Sequence, residues 1–204
     1  MSSFLSRFRG VAPALDGLSH KGQHGAVCVV GGSEAFSGAP FFAAMGALRS
    51  GSDLAYVLCE RSCAPILKAY SPELMVFPTW AENDSETAQE ALGEKLKLLL
   101  PRVDAVVLGP GLGRSHAAAC VAKTTMEQSI SAGVALVVDA DALFLWASNS
   151  WSFEPPLGST ASPIVLTPNV VELGRFKGDG PAEVARNEKV VVLSKGKEDV
   201  VSDG

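Results

Sequence analysis

The 204-residue sequence is poor in the residues that staple small folds or hold metals. It has 4 cysteines, Cys28, Cys59, Cys63 and Cys120, none in a Cys-x-x-Cys pair, and 3 scattered histidines, His20, His24 and His116. That pattern excludes the usual Cys/His zinc motifs, argues against a disulfide framework and suits a reducing compartment. The histidines are expected on the surface or at caps. No apolar run approaches the ~20 residues that cross a bilayer, so no membrane partner is expected. Positive charge is not in excess. A net charge of −5 excludes nucleic-acid binding by bulk electrostatics. The expected compartment is the cytoplasm. The opening Met1-Ser-Ser-Phe-Leu-Ser-Arg-Phe-Arg9 has two arginines and no acid, which leaves the mitochondrion as the alternative.

Glycine and aliphatic residues are abundant: 20 glycines and 47% hydrophobic content suit a buried sheet with close turns, in one domain over 1–204. Apolar runs predict strands at Ala26 to Val30, Asp53 to Cys59, Leu74 to Phe77, Val103 to Leu108, Val134 to Val138, Ile164 to Leu166 and Val190 to Leu193. Helices are predicted between them at Ala39 to Arg49, Pro65 to Tyr70 and Ser115 to Ala132. A further helix carries Ala88, Ala91, Leu92, Leu96 and Leu99 on one face. Asn149 to Ser162 reads as a Pro/Ser/Gly-rich connection. Alternating strands and helices imply an α/β, three-layer α/β/α fold with a mostly parallel central sheet. In such a sheet ligands bind beyond the carboxyl ends of the strands.

The unusual motifs fall at those ends. The run Val106-Val107-Leu108 reads as a strand covered on both faces, followed by Gly109-Pro-Gly-Leu-Gly113 and a helix N-capped by Ser115. The bare turn either lets a ligand reach the backbone or simply supplies dihedrals. Gly31-Gly32 carries the same two readings. Asp139 either orients a Mg²⁺-bound phosphate or meets a ligand hydroxyl, and Asp141 is assigned to capping the helix of Leu143 and Trp146. Leu166-Thr-Pro-Asn-Val-Val-Glu172 offers Asn169 and Glu172 either to a polar ligand or to the helix they begin. Lys195-Gly196, at a strand end, suits a phosphate.

These residues together resemble the ADP/ATP-dependent NAD(P)H-hydrate dehydratases of the ribokinase-like superfamily, from about Arg9 to Gly204. The resemblance rests on His20-Lys-Gly-Gln-His-Gly25, Val29-Val-Gly-Gly32, Gly38-Ala-Pro40, Ala69-Tyr-Ser-Pro-Glu73, Gly109-Pro-Gly-Leu-Gly-Arg114, Asp139-Ala-Asp-Ala-Leu143, Leu166 to Glu172 and Lys195-Gly-Lys-Glu-Asp199. Its Lys-Gly-Gln and Thr-Pro-Asn-Val-Val-Glu forms resemble the eukaryotic branch. The resemblance implies repair of hydrated NADH or NADPH with ATP or ADP as phosphoryl donor and Mg²⁺ as cofactor. It implies substrate contacts at Gly111, Gly113, Asn169, Val170, Val171, Glu172, Leu173, Gly174 and Arg175. It implies nucleotide contacts at Lys195, Gly196, Lys197, Glu198 and Asp199. No metal ligand is assigned beyond Asp139 as a candidate, and a homo-oligomer is among the expectations.

The family's Gly-Gly-x-Gly-Asp segment, expected after the Lys-Gly strand and a hairpin, does not occur in residues 1–204, and Glu172 to Val190 is short for the family. The catalytic residues are therefore unassigned. Residues 1–204 by themselves are expected to be inactive and to leave a strand edge or an apolar face exposed. The rival readings are a vitamin or sugar kinase on the same fold and a non-catalytic nucleotide-binding module.

Overall fold

A computed structural model describes residues 20, 22–81, 86–148 and 162–204. The opening segment and nearly all of the Asn149 to Ser162 connection lie outside the described residues. Strands β1 (Ala26–Val30), β2 (Leu54–Glu60), β3 (Met75–Trp80), β4 (Ala105–Leu108), β5 (Ala135–Val138), β6 (Ile164–Leu166), β7 (Val191–Ser194) and β8 (Val200–Ser202) form one sheet. Its order is β3-β2-β1-β4-β5-β6-β7-β8, parallel throughout except for the antiparallel β7–β8 pair. The helices are α1 (Gly38–Arg49), α2 (Ala64–Tyr70), α3 (Glu86–Leu99), α4 (His116–Ser131), α5 (Asp141–Ala147), α6 (Val170–Leu173) and α7 (Pro181–Glu188). The fold is the expected α/β sheet with helices on both faces.

Alternation along the strands sends side chains to two separate cores. One face buries Cys28, Val30, Leu58, Val106, Leu108, Leu136, Val138 and Leu166 against α3, α4, α5 and α7. The other buries Val29, Ala55, Val57 and Cys59 against Ala44 of α1 and Leu67 of α2. This second cover reaches mainly β1 to β3. Val107, Val137, Val165 and Leu193 are consequently only half-buried, which corrects the reading of Val106-Val107-Leu108 as covered on both faces. Val106 and Leu108 are buried; Val107 is not.

Other departures are local. β3 runs on through Pro78 to Trp80, because an edge strand tolerates the missing N–H. In α3, Leu92, Leu96 and Leu99 are buried but Ala91 is exposed. The helix is turned toward α4 at Gly93, where a Cβ would lie 2.9 Å from Gln128 Nε2. Helix α7 and strand β8 have no counterpart among the elements expected from the sequence. Trp146 Nε1 donates to Glu188 Oε2 at 2.9 Å, tying α5 to α7.

Candidate functional site

The glycine turn after β4 is first of all a packing device. Gly109 and Gly111 have φ of +115° and +62°, and a methyl at Gly109 would collide with the Asp139 carbonyl. A methyl at Gly111 would lie 2.9 Å from Phe36 Cβ and O, and one at Gly31 would strike the Pro110 carbonyl. The turns after β1, β4 and β5 thus cross at backbone contact, and Gly109 and Gly111 are buried beneath them. Gly113, at φ +81°, is the half-exposed member, and a methyl there would meet Ser33 Oγ only at 3.7 Å. Ser115 caps α4 as expected, its Oγ accepting from Ala118 N at 3.1 Å.

Gly113 opens onto a cleft of about 560 Å³ floored by Trp80 and Leu112, with Ser33, Phe36, Glu60 and Arg114 around it. The buried Glu60 carboxylate accepts from Glu34 N at 3.0 Å and from Ser62 Oγ at 2.8 Å. Glu60 escaped the sequence reading because it ends β2, one residue beyond the strand expected to stop at Cys59.

The two aspartates after β5 point to different partners. Ala140, between them, adopts φ 51° and ψ −119°, the first central position of a type II′ turn that glycine normally takes. Asp141 is the first residue of α5 and not its cap. Its Oδ2 accepts from Gly113 N at 3.0 Å and its Oδ1 from Arg114 Nε at 2.9 Å, so it clamps the glycine turn. Asp139 Oδ1 accepts from Thr167 Oγ1 and from Lys195 Nζ, both at 2.8 Å, joining the ends of β5, β6 and β7.

Asn169 and Glu172 serve each other. Asn169 Oδ1 accepts from Val171 N and Glu172 N at 2.9 Å, and Glu172 Oε2 accepts from Asn169 N at 2.9 Å, a reciprocal cap on α6. Val170, Val171, Gly174 and Arg175 are exposed, while Glu172 and Leu173 are half-buried. Lys195 N donates to Pro168 O at 2.8 Å, setting that residue beside Asn169. Gly196 N donates to Asp199 Oδ1 at 3.0 Å, which closes the β7–β8 turn and leaves Lys197, Glu198 and Asp199 in solvent.

All of these segments lie on the carboxyl edge of the parallel strands. The cleft takes in Gly113 and none of Gly111, Asn169 to Arg175 or Lys195 to Asp199. The ends of β4 and β7 are three strand spacings apart, about 14 Å. The sequence-predicted residues thus form two groups on one edge, bridged by Asp139 and Asp141. Among the described residues, no group of three His, Cys, Asp or Glu is arranged to hold a metal ion.

The titration shifts lie off this edge or beneath it. Hydrogen bonding from the His24 backbone holds the Asp53 carboxyl below its usual range, at the amino end of β2. Burial pushes the Cys28 thiol up to about 12. Cys59 is raised and Cys63 lowered by the hydrogen bond they share.

A family model described as NAD(P)H-hydrate dehydratase matches residues 27–204. The chain is 42% identical to an ATP-dependent (S)-NAD(P)H-hydrate dehydratase of Bos taurus, over 100% of this chain and 63% of that protein. It is 43% identical to the one of Ixodes scapularis, over 95% of this chain and 61% of that protein. The chain thus spans less than two thirds of the length of these curated relatives. Among solved structures it resembles an ADP/ATP-dependent NAD(P)H-hydrate dehydratase from Bacillus subtilis co-crystallized with ATP/Mg²⁺. That match has TM-score 0.68 and 22% identity, and covers 97% of this chain and 67% of that one. A ribokinase-like superfamily protein from Enterococcus faecalis matches with TM-score 0.71 and 20% identity, over 94% of this chain and 63% of that one.

Proposed function

Because the chain belongs to the NAD(P)H-hydrate dehydratase family, we propose that the protein carrying it uses ATP to return hydrated NADH or NADPH to the parent cofactor. The hydroxyl left by ring hydration is a poor leaving group. Transfer of a phosphoryl group to its oxygen, releasing ADP, makes it a good one. The ring nitrogen's lone pair then expels phosphate as the C–O bond breaks, and the neighbouring carbon loses a proton. The protein's part is to place two anionic ligands and stabilise the transferred charge.

The observation that carries this reading is the convergence of 109–114, 139–141, 167–172 and 195–199 on one sheet edge, with the cleft at one end and Lys195 at the other. In this assignment the cleft side receives the hydrated dinucleotide and the Lys195 side the nucleotide phosphates. Glu172 Oε1 and Asp139 Oδ2 carry no hydrogen bond to a described residue. Each therefore offers an oxygen to Mg²⁺, which needs only one or two carboxylates when phosphates complete its shell. Bound there, the ion would neutralise charge on the transferring phosphate.

The test is to follow NADH absorbance while the whole protein carrying residues 1–204 meets hydrated NADH, ATP and Mg²⁺. NADH recovered in step with ADP supports the reading. ATP consumption without NADH favours a kinase, and neither product a binding module.

A further inference from the structure

Two cysteines that take no part in the proposed chemistry meet under the turn between β2 and α2. Cys59 is the penultimate residue of β2, and Cys63 immediately precedes α2. Both are fully buried. A methyl at Gly32 would lie 3.0 Å from Cys63 Sγ and 3.4 Å from Cys59 Cβ, so the two side chains border one point beneath the turn after β1. Their thiols share a hydrogen bond that holds Cys63 below the usual thiol range and pushes Cys59 above it. Such a pair divides the roles of a dithiol: Cys63 is the nucleophile, and Cys59 keeps its proton.

Between the two cysteines stands Glu60. Its carboxylate accepts from Glu34 N at 3.0 Å and from Ser62 Oγ at 2.8 Å, and the 33–36 turn that it anchors walls the cleft of about 560 Å³. Hydrogen-bonded sulfurs stand well beyond the ~2.05 Å of a disulfide bond, so joining them shortens the span from Cys59 to Cys63. Both ends of that span are fixed. Cys59 is in register with Pro78 in the sheet, and Cys63 O accepts from Leu67 N in α2. The contraction therefore falls on the intervening turn, where β2 already breaks register between Cys59 and Glu60.

We propose that Cys59 and Cys63 are a peroxide-responsive dithiol whose closure into a disulfide releases the Glu60 anchor of the cleft wall. The Cys63 thiolate attacks one oxygen of hydrogen peroxide and the O–O bond breaks. This gives a sulfenic acid and a hydroxide, which takes up the proton that Cys63 had shed. The Cys59 sulfur then attacks the sulfenic sulfur; the S–O bond breaks, and water leaves with the Cys59 proton. Two thiols are oxidised and one peroxide is reduced to two waters. Burial keeps bulky reagents from these sulfurs, but peroxide is little larger than water, and the turn residues Arg61 and Ser62 are exposed. Added thiol reverses the link, which distinguishes it from a structural framework.

The experiment treats the whole protein with hydrogen peroxide, blocks the remaining thiols in denaturant and digests with trypsin without reduction. Cleavage after Arg49, Arg61 and Lys68 puts the two cysteines on separate peptides. The expected product is residues 50–61 joined to 62–68, lighter than the two free peptides by two hydrogens and absent after dithiothreitol. Deuterium exchange over the 33–36 turn is the second readout. It needs no ligand, so it stands whatever the substrate proves to be. Loss of the Glu60 hydrogen bond should speed exchange at Glu34 N about tenfold, reversibly. Cys63→Ala should lose both effects, while Cys59→Ala should leave Cys63 oxygenated and unlinked. Both readouts are taken on the parent, so a variant that fails to fold leaves the test intact. Peroxide that oxidises the half-exposed Cys120 but leaves 50–61 and 62–68 unlinked would overturn the dithiol. A cross-link with unchanged exchange over 33–36 would overturn its coupling to the cleft.

Discussion

Replacing Gly109 with alanine should be among the most damaging single-methyl additions in the described structure. Gly109 has φ +115°, outside the regions open to residues with a Cβ, and its missing Cβ position is filled by the Asp139 carbonyl and crowded by Ala142 Cβ and N, 2.7 and 2.9 Å away. A residue held in such a conformation costs about 1–3 kcal/mol. Forcing a methyl into packed surroundings costs a further ~1–3 kcal/mol. The obstacle is backbone at the start of a turn that already contains Ala140 at φ +51° and the Asp139 hydrogen bonds, so it has little freedom to retreat. A loss of about 4 kcal/mol is therefore expected, a large fraction of the ~5–15 kcal/mol that holds a domain. With urea slopes of ~1–3 kcal/mol/M, the unfolding midpoint should fall by at least about 1 M. Gly46→Ala is the matched control: it sits inside α1 with no neighbour within 4 Å of its Cβ position. It should gain about 0.5–1 kcal/mol from helix propensity. If Gly109→Ala stays within about 1 kcal/mol of the parent, the crossing of the β4 and β5 turns is softer than this reasoning requires.

Thiol labelling of the folded protein should proceed first at the half-exposed Cys120, while the buried Cys28, Cys59 and Cys63 react only on unfolding; mass mapping that finds Cys28 modified at the Cys120 rate would contradict the packing around β1. Asp53 accepts from Gly22 N and His24 N, and its native pKa lies below the unfolded value of ~3.9. Its charged form therefore adds stability above that pH, which is lost as the pH falls through the depressed native value. The stability gap between the parent and Asp53→Asn should narrow in acid, and urea midpoints showing an equal gap at neutral and strongly acid pH would refute it. Lys195→Met should change stability by less than ~1 kcal/mol, because the Lys195–Asp139 pair is 43% and 31% exposed. The same substitution should weaken ATP binding by about tenfold or more, and unchanged ATP affinity would remove Lys195 from the nucleotide site.

The fold was largely legible because its signals are local. Short aliphatic runs such as Ala26 to Val30 and Ile164 to Leu166 gave strands whose bounds hold to the residue, and alternation with helices gave the parallel sheet. The errors arose where neighbours decide. Val107 looks as apolar as Val106, but its burial depends on how far α1 and α2 extend over the sheet. Helix α7 carries Pro-Ala-Glu-Val-Ala-Arg-Asn-Glu, with only Val184 and Ala185 buried, too few apolar positions to announce a helical face. Its tether to Trp146 is supplied by a residue 42 positions away.

The candidate site was legible as a set of positions and not as a set of contacts. The glycine turn, the two aspartates, Asn169 with Glu172, and Lys195 all stand at carboxyl strand ends, because the topology of a parallel sheet sends each strand-to-helix turn there. What each side chain does is settled across long stretches of sequence: Lys195 reaches Asp139 over 56 residues, and Arg114 reaches Asp141 over 27. The sequence left Asp139 open to a Mg²⁺-bound phosphate or a ligand hydroxyl and assigned Asp141 to a helix cap. The turn at Ala140 instead aims one at the β6 and β7 ends and the other at the glycine turn. The strain at Ala140 acquires a reason in this arrangement. A regular strand would direct both carboxylates to one side, leaving either Lys195 or the Gly113–Arg114 turn without its anchor. The sharp turn lets two acids on either side of one residue hold opposite halves of the sheet's carboxyl edge in fixed register.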